Sequence, residues 1–346
     1  MKFNEILTNW YSVNKRDLPW RHTTNPYCIW LSEIILQQTQ VKQGTPYYHA
    51  FLENFPTVFH LAQASEDQVL KLWQGLGYYS RARNLHASAK YIVNDLNGVF
   101  PNTYKDLLKL KGVGDYTASA VASIAFNACT AVVDGNVYRV LSRCFGISTP
   151  INSTKGIKEF KLLAQELISK KDPATFNQAI MEFGATQCTP KNPSCHSCPF
   201  NTTCVALQKK VIEVLPVKIK SAKAKKKYFN FLVFLFNNNK TILEQREGKG
   251  IWQNLYQFPL LETSSPAQHD AVKAHLLELP VLKNMSFDLS LYSTKAVVHK
   301  LSHQHLHTHF WIINVNAPLK HGVLINDVKN YAVPVLISNF IDAFNF

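Results

Sequence analysis

The first 207 residues place apolar side chains at helical spacing, one segment after another. Phe3, Ile6, Leu7, Trp10 and Tyr11 share one face of a first helix. Asn25 is placed to cap a second, PYCIWLSEIILQ, with Pro26 at its first position. Ser65 and Gln68 form a capping box ahead of Val69, Leu70, Leu72 and Trp73. Thr103 opens YKDLLKL, which Gly112 stops. YTASAVASIAF is small and apolar, as a helix buried on most sides must be, and Pro173 starts a further helix, ATFNQAIMEFGA. No strand pattern competes in this half.

From residue 228 the pattern becomes strand-like. YFNFLVFLF and TILEQRE, separated by Asn237, Asn238 and Asn239, predict a hairpin. WIINVN near residue 311 predicts a further strand, and residues 266–279 a helix between them. The expected architecture is a mainly α domain over residues 1–207 and an α+β domain over 228–346. Residues 208–227 join them, with eight lysines and one glutamate around Pro216. This basic linker is either a solvated tether or a phosphate-contacting segment.

Composition narrows the function classes. The 346 residues carry 37 Lys plus Arg against 23 Asp plus Glu, a net charge of +14, which favours a polyanionic partner over a merely soluble basic surface. The longest apolar runs, such as residues 231–236, fall far short of the ~20 residues of a membrane helix. The N-terminus lacks a basic start followed by an apolar core, so secretion is not expected and a bacterial cytoplasmic location is. Seven cysteines, four of them in one short segment, fit a reducing compartment rather than a disulfide framework.

Cys188, Cys195, Cys198 and Cys204, spaced C-x6-C-x2-C-x5-C over residues 188–204, can converge on one metal centre. Only one C-x2-C is present, unlike a zinc ribbon, and four thiolates suit zinc or an iron–sulfur cluster equally by chemistry alone. His196 lies inside the loop, but four sulfurs already complete a shell. Cys28, Cys129 and Cys144 fall in helical patterns and read as buried thiols.

LLKLKGVGDYTASA reads as two helices joined by Gly112-Val113-Gly114, a hairpin whose glycines permit a tight turn and let phosphate approach backbone N–H groups. Asp134 follows the apolar Ala131-Val132-Val133; it caps the helix starting near Val137, does chemistry, or does both. Glu33 is flanked by Trp30, Leu31, Ile34 and Ile35. It is either a surface glutamate on an amphipathic helix or a buried acid with a raised pKa.

Together these segments resemble the helix–hairpin–helix DNA glycosylases that carry a C-terminal iron–sulfur loop, and within them the adenine DNA glycosylases of the MutY type. The resemblance spans essentially the whole chain and rests on LPWR at 18–21, WLSEIILQQTQV at 30–41, LWQGLGYYSRARNL at 72–85, GVGDYTA at 112–118, VDGNVYRVLSR at 133–143 and the cysteine spacing. It implies that Cys188, Cys195, Cys198 and Cys204 hold a [4Fe–4S] cluster. Glu33 would protonate the extruded adenine at N7, and Asp134 would stabilise the oxocarbenium-like sugar. Asn136 and Tyr116 would orient these groups. Arg16, Leu18, Trp20 and Arg21 would line the base pocket, while Gln38 and Tyr78 enter the duplex. As bland alternatives, Gln38 is a helix-end amide and Tyr78 a core aromatic. Gly112 and Gly114 would meet the DNA backbone. The substrate implied is double-stranded DNA with adenine opposite 8-oxoguanine or guanine, acted on by a monomer.

Position 116 separates this type from endonuclease III-like enzymes, which carry a lysine there. Tyr116 has no amine to form a Schiff base, so a monofunctional glycosylase is expected; Lys111, nearby, belongs to the hairpin pattern. The second domain resembles a Nudix fold through GKGIWQNLYQFP, but AQHDAVKAHLLELP lacks the glutamate array that holds magnesium, which argues against pyrophosphate hydrolysis. Ser302 and His303 match a recognition loop for 8-oxoguanine in which Leu301 departs from the usual Phe. His303, His305, His307 and His309 alternate along one strand, either as an exposed face or as metal ligands. Two rivals remain: a bifunctional glycosylase/lyase, and a non-catalytic binder of damaged DNA.

Overall fold

The computed structural model describes residues 2–220, 224–237 and 239–346. Its contacts divide into two units, Met1–Ala64 with Asn84–Lys220, and Ser65–Arg83 with Ser221–Phe346. The helices are α1 (Phe3–Asn14), α2 (Pro26–Leu36), α3 (Val41–Asn54), α4 (Val58–Gln63), α5 (Glu66–Leu72), α6 (Ser80–Asp95), α7 (Tyr104–Leu107), α8 (Asp115–Phe126), α9 (Gly135–Phe145), α10 (Thr154–Leu167), α11 (Pro173–Thr186), α12 (Val205–Gln208), α13 (His269–Glu278) and α14 (Val335–Phe344). The strands are β1 (Lys225–Leu235), β2 (Lys240–Thr241), β3 (Glu244–Gln245), β4 (Tyr256–Gln257), β5 (Leu260–Thr263), β6 (Phe287–Leu291), β7 (Val297–Lys300), β8 (Gln304–Val315) and β9 (Val323–Leu324). No helix among the described residues is long and apolar enough to cross a membrane.

In the first unit, α11 packs on α1, α8 and α9, and α2 packs on α8. Leu7, Val137, Leu141, Phe160, Phe176, Ile180 and Phe183 are buried at the centre of that packing, each contributing about 1.5–3 kcal/mol of apolar burial. The Asn25 side chain accepts from Tyr27 N at 2.9 Å and starts α2 as expected. That helix then buries Ile29, Trp30, Leu31, Ile34 and Ile35, so Glu33 is its one charged residue and projects from an otherwise apolar rod.

Two local expectations change here. The helix expected through YKDLLKL is only the single turn α7, because tight bonds from Leu110 N to Leu107 O (3.1 Å) and Val113 N to Leu110 O (3.2 Å) wind the chain into the hairpin. Cys129 is exposed in the loop after α8 rather than buried in a helix, since Asn127 turns left-handed (φ 55°) and ends α8 at Phe126. Cys28 and Cys144 are helical and half-buried.

In the second unit the sheet runs β5-β1-β8-β6, with β7 also paired to β8. β1 and β8 are parallel from Lys225↔Gln304 to Leu235↔Asn314, and the other pairs in this sheet are antiparallel. The hairpin expected between YFNFLVFLF and TILEQRE therefore reduces to one bridge, Phe236↔Lys240, and its turn residue Asn238 lies outside the described residues. Both edges of β1 are already taken by β5 and β8, so TILEQRE breaks into β2 and β3, which pair with β9 and β4. On one face α13 covers Leu232, Phe234, Trp311 and Ile313 with Val272 and Leu276. On the other, the Phe340 ring of α14 stacks on Phe310 at 3.9 Å.

Residues 65–83, expected in the first domain, group with this sheet. Lys71 Nζ donates to the carbonyls of Lys329 (2.5 Å) and Tyr331 (3.2 Å), Gln74 Nε2 to Ser338 Oγ (3.0 Å), and Arg83 to Gln253 O (2.9 Å). The Ser65–Gln68 capping box forms as predicted, with bonds of 2.9 and 3.2 Å.

Candidate active site

Three helices of the first unit bring the acid pair together. Glu33 comes from α2, Tyr116 from the first turn of α8, and Asp134 is the residue that caps α9. The Glu33 carboxyl keeps part of its surface accessible but is densely surrounded, and burial pushes its pKa up to about 7. A hydrogen bond with Tyr116 opposes that rise, the nearby Asp134 charge reinforces it, and Arg21 opposes it. The Tyr116 hydroxyl also lies 3.1 Å from Met181 Sδ. Glu33 is thus half-buried on an apolar helix rather than on a solvated polar face.

Asp134 meets a different environment. Its Oδ1 accepts from Val137 N at 2.8 Å and its Oδ2 from Asn136 Nδ2 at 2.9 Å. Burial raises its pKa, while the Val137 and Asn136 donors favour the ionised form, as does the N-terminal end of α9. The cap is real, and it also fixes both carboxylate oxygens close enough to Glu33 for their charges to interact.

Asn136 is held in turn. Arg139 NH2 donates to Asn136 Oδ1 (2.9 Å) and to Gly184 O (2.6 Å), while its Nε donates to Cys188 O (2.7 Å). Gly184 allows this approach, since a Cβ there would stand 2.6 Å from Asn136 Cβ.

Two of the expected base-pocket residues, Arg16 and Arg21, gather on a carboxylate that sequence reasoning missed. Glu182 of α11, with a fully buried side chain, accepts from Arg16 N (2.9 Å), Arg16 Nε (2.7 Å), Arg16 NH2 (2.7 Å) and Arg21 NH2 (2.8 Å). Burial alone would raise its pKa, but the two guanidinium groups and the Arg16 N–H outweigh that and hold it at about 2. The available signal was a carboxylate in the apolar run AIMEFGA, the same signal that marked Glu33. Leu18 is buried, and Trp20 meets Tyr48 edge-on at 5.4 Å.

The hairpin glycines differ from one another. Gly112 needs its left-handed backbone (φ 76°), whereas Gly114 is extended and a Cβ on it would meet nothing within 4 Å. Gly114 leaves the first turn of α8 without a side-chain cap and open to an anion.

Gln38 and Tyr78 are both exposed, and both adopt left-handed backbone, with φ 54° and 47°. A residue with a Cβ holds that conformation at a cost of about 1–3 kcal/mol, a strain that concentrates at functional positions. Tyr78 is therefore not a core aromatic. In the second unit Tyr78, Tyr79, Ser80 and Arg83 line one pocket with Trp252 (φ 59°), Leu301, Ser302 and His303. Three of the residues singled out from sequence, Tyr78, Ser302 and His303, thus meet there.

Cys188, Cys195, Cys198 and Cys204 line a common pocket, joined by Cys144 and Phe183. Arg143, buried, pins the surrounding loop through Thr189 O (2.7 Å), Pro190 O (3.1 Å) and Leu215 O (3.1 Å) and approaches Cys188 Sγ at 3.5 Å. Phe200 N donates to Cys198 Sγ at 3.4 Å. Among the described residues no three His, Cys, Asp or Glu side chains are drawn together as ligands of one ion, the histidine row included. The four cysteines line one shared pocket, and four thiolates are a ligand set that suits an iron–sulfur cluster as well as zinc.

A helical unit with this hairpin, an acid pair on α2 and α9, and a separate Nudix-like unit define a base-excision DNA glycosylase. Residues 31–167 match the family described as HhH-GPD superfamily base excision DNA repair protein, and residues 231–343 match the NUDIX domain. The chain belongs to the adenine DNA glycosylase family. It is 34% identical over 315 residues to the adenine DNA glycosylase of Buchnera aphidicola subsp. Schizaphis graminum, covering 91% of this chain and 88% of that protein. It is 46% identical over 216 residues to that of Homo sapiens, covering 60% of this chain and 40% of that protein. A solved thermostable thymine-DNA glycosylase superposes with a TM-score of 0.56 at 32% identity, covering 60% of this chain and 95% of that one. The protein is accordingly a DNA N-glycosylase of base excision repair, with Tyr116 in keeping with a monofunctional enzyme.

Proposed function

We propose that this enzyme releases adenine paired opposite 8-oxoguanine or guanine in duplex DNA. The observation that carries the mechanism is a pair of neighbouring buried carboxyls: Glu33, pushed up to about 7 by burial, and Asp134, also raised by burial but with both oxygens accepting from the Val137 and Asn136 donors. Glu33 gives its proton to N7 of the extruded base, so that adenine departs neutral as the bond to C1′ of the sugar breaks; acid catalysis of this kind is worth roughly 10²–10⁴-fold. Asp134 stabilises the positive charge left on the sugar, and water completes the hydrolysis at C1′. Asn136 and Tyr116 hold the pair in register. Arg16 and Arg21, tied down by Glu182, bind the flipped base together with Leu18 and Trp20.

Tyr78, Ser302 and His303 supply the opposite-base site: an aromatic face for stacking beside a hydroxyl and an imidazole able to hydrogen-bond a base edge. Gln38 fills the space adenine leaves, and the Gly112–Gly114 turn meets phosphate. Cys188, Cys195, Cys198 and Cys204 hold a [4Fe–4S] cluster whose contribution is to order a loop with little apolar core. We also propose that the enzyme is a cytoplasmic monomer.

The test is single-turnover release on duplexes with adenine opposite 8-oxoguanine, guanine or thymine, scored with and without alkali beside Glu33→Gln. Release opposite 8-oxoguanine and guanine, with scission only after alkali and abolished release in the variant, supports the reading. Scission without alkali points to a lyase, and lesion-selective binding without release to a non-catalytic binder.

A further inference from the structure

Strand β8 changes character along its length. Gln304, Leu306, Thr308 and Phe310 are buried while His305, His307 and His309 between them are half-exposed, and from Phe310 to Ile313 every residue is buried. The change has a structural cause. α13 covers the histidine-bearing face only from Trp311 onward, where its first residue, His269, meets the Trp311 ring at 6.2 Å. Beyond that edge the face lies open.

The register shows what stands on it. One row is Lys300–His305–Lys226, and the next is Val298–His307–Tyr228–Thr263, with the Tyr228 and His307 rings 5.3 Å apart. Lys226 and Lys300 are exposed. No acidic residue occupies these rows; Glu262 pairs with Phe229, on the opposite face, where it binds Lys227 and Arg246. Alternate side chains of a strand stand about 6.6 Å apart, close to the separation of successive phosphates along a nucleic acid strand. At the end of the stripe, the turn between β7 and β8 carries Leu301, Ser302 and His303 into the pocket with Tyr78.

We infer that this open half of the sheet, with Lys226, Lys300, His305, His307 and Tyr228, is a contact surface for the phosphate backbone of the duplex. The stripe offers donors and an aromatic ring without a carboxylate, and the chain runs from it directly into the turn read above as the opposite-base site, whose Trp252 packs against Phe229 and His299 on the other face. The inference rests on DNA being the substrate but not on which base stands opposite adenine. It assigns the histidine row to DNA contact rather than to a metal.

Its test is equilibrium binding of the full-length protein to an undamaged 30-mer duplex and to one containing A opposite 8-oxoguanine, over a salt series. Each phosphate that the protein no longer neutralises lowers the slope of log K against log salt by about 0.9. For Lys226→Ala/Lys300→Ala the slope should fall by about 1.8 on both duplexes, and Lys226→Arg/Lys300→Arg should restore it. An unchanged slope in a variant with wild-type thermal stability overturns the inference and leaves the face to solvent or to a protein partner. A wild-type protein that binds but releases no adenine refutes the catalytic reading instead and leaves the slope comparison intact.

Discussion

Arg139 donates from Nε to the carbonyl oxygen of Cys188 at 2.7 Å, and the same guanidinium holds Asn136 Oδ1 at 2.9 Å. One planar group thus links the start of the cysteine loop to the amide that positions Asp134. A disturbance in the loop has a direct path to the acid pair, although none of the four cysteines belongs to the catalytic machinery.

Replacing Arg139 by Gln removes that link. Hydrogen bonds from a charged donor are worth about 1.5–3 kcal/mol each, so single-turnover release should fall at least tenfold. Visible absorbance of the proposed cysteine-bound cluster should fall in the same preparation. A variant with full absorbance and full rate would show that the two regions are independent.

Burial raises Glu33 from 4.5 to about 7, so the folded protein binds more protons than the unfolded chain between those values and loses stability as pH rises through them. Glu33→Gln should therefore melt higher than wild type at pH 8, by on the order of 2–3 kcal/mol, and the gap should close below pH about 4.5. The variant should release no adenine. Wild-type release should decline as pH rises through about 7, where the acid loses its proton.

The hydrogen bond from Tyr116 favours the ionised form of Glu33. Tyr116→Phe removes it and should shift the alkaline limb of the release profile to higher pH. A limb moving to lower pH would mean that Tyr116 donates its proton elsewhere.

Glu182 answers to pH with the opposite sign. Held at about 2, it stabilises the fold fully above the ordinary glutamate range and progressively less as pH falls towards 2. Glu182→Gln should cost about 2 kcal/mol at pH 7, moderated because Arg16 remains 40% exposed. The difference from wild type should shrink in acid melts. Because Arg16 and Arg21 lose their common anchor, KM should rise together with the loss of rate.

Caps and faces were legible along the chain because their partners lie within a turn or two. Asn25, Ser65, Thr103 and Asp134 each bind a backbone N–H two or three residues on, as their side chains predict. The alternation of β8 likewise announced one exposed face, and the resemblance pointed to Glu33, Asp134 and the four cysteines. The hairpin after β1 failed because periodicity reports which face a residue occupies and says nothing of which strand will lie beside it.

By itself the sequence determined the helical and sheet-forming halves, the local caps, and the residue types from which a glycosylase site and a cysteine loop are built. Only tertiary structure decided that Glu182 would meet Arg16 across 166 residues, that Tyr78 would share a pocket with Ser302 and His303, and that Glu33 would be desolvated enough to keep a proton near neutrality. The physical reason is common to all three. Burial and long-range ion pairing depend on what packs around a side chain, and that environment is assembled from segments distant in sequence.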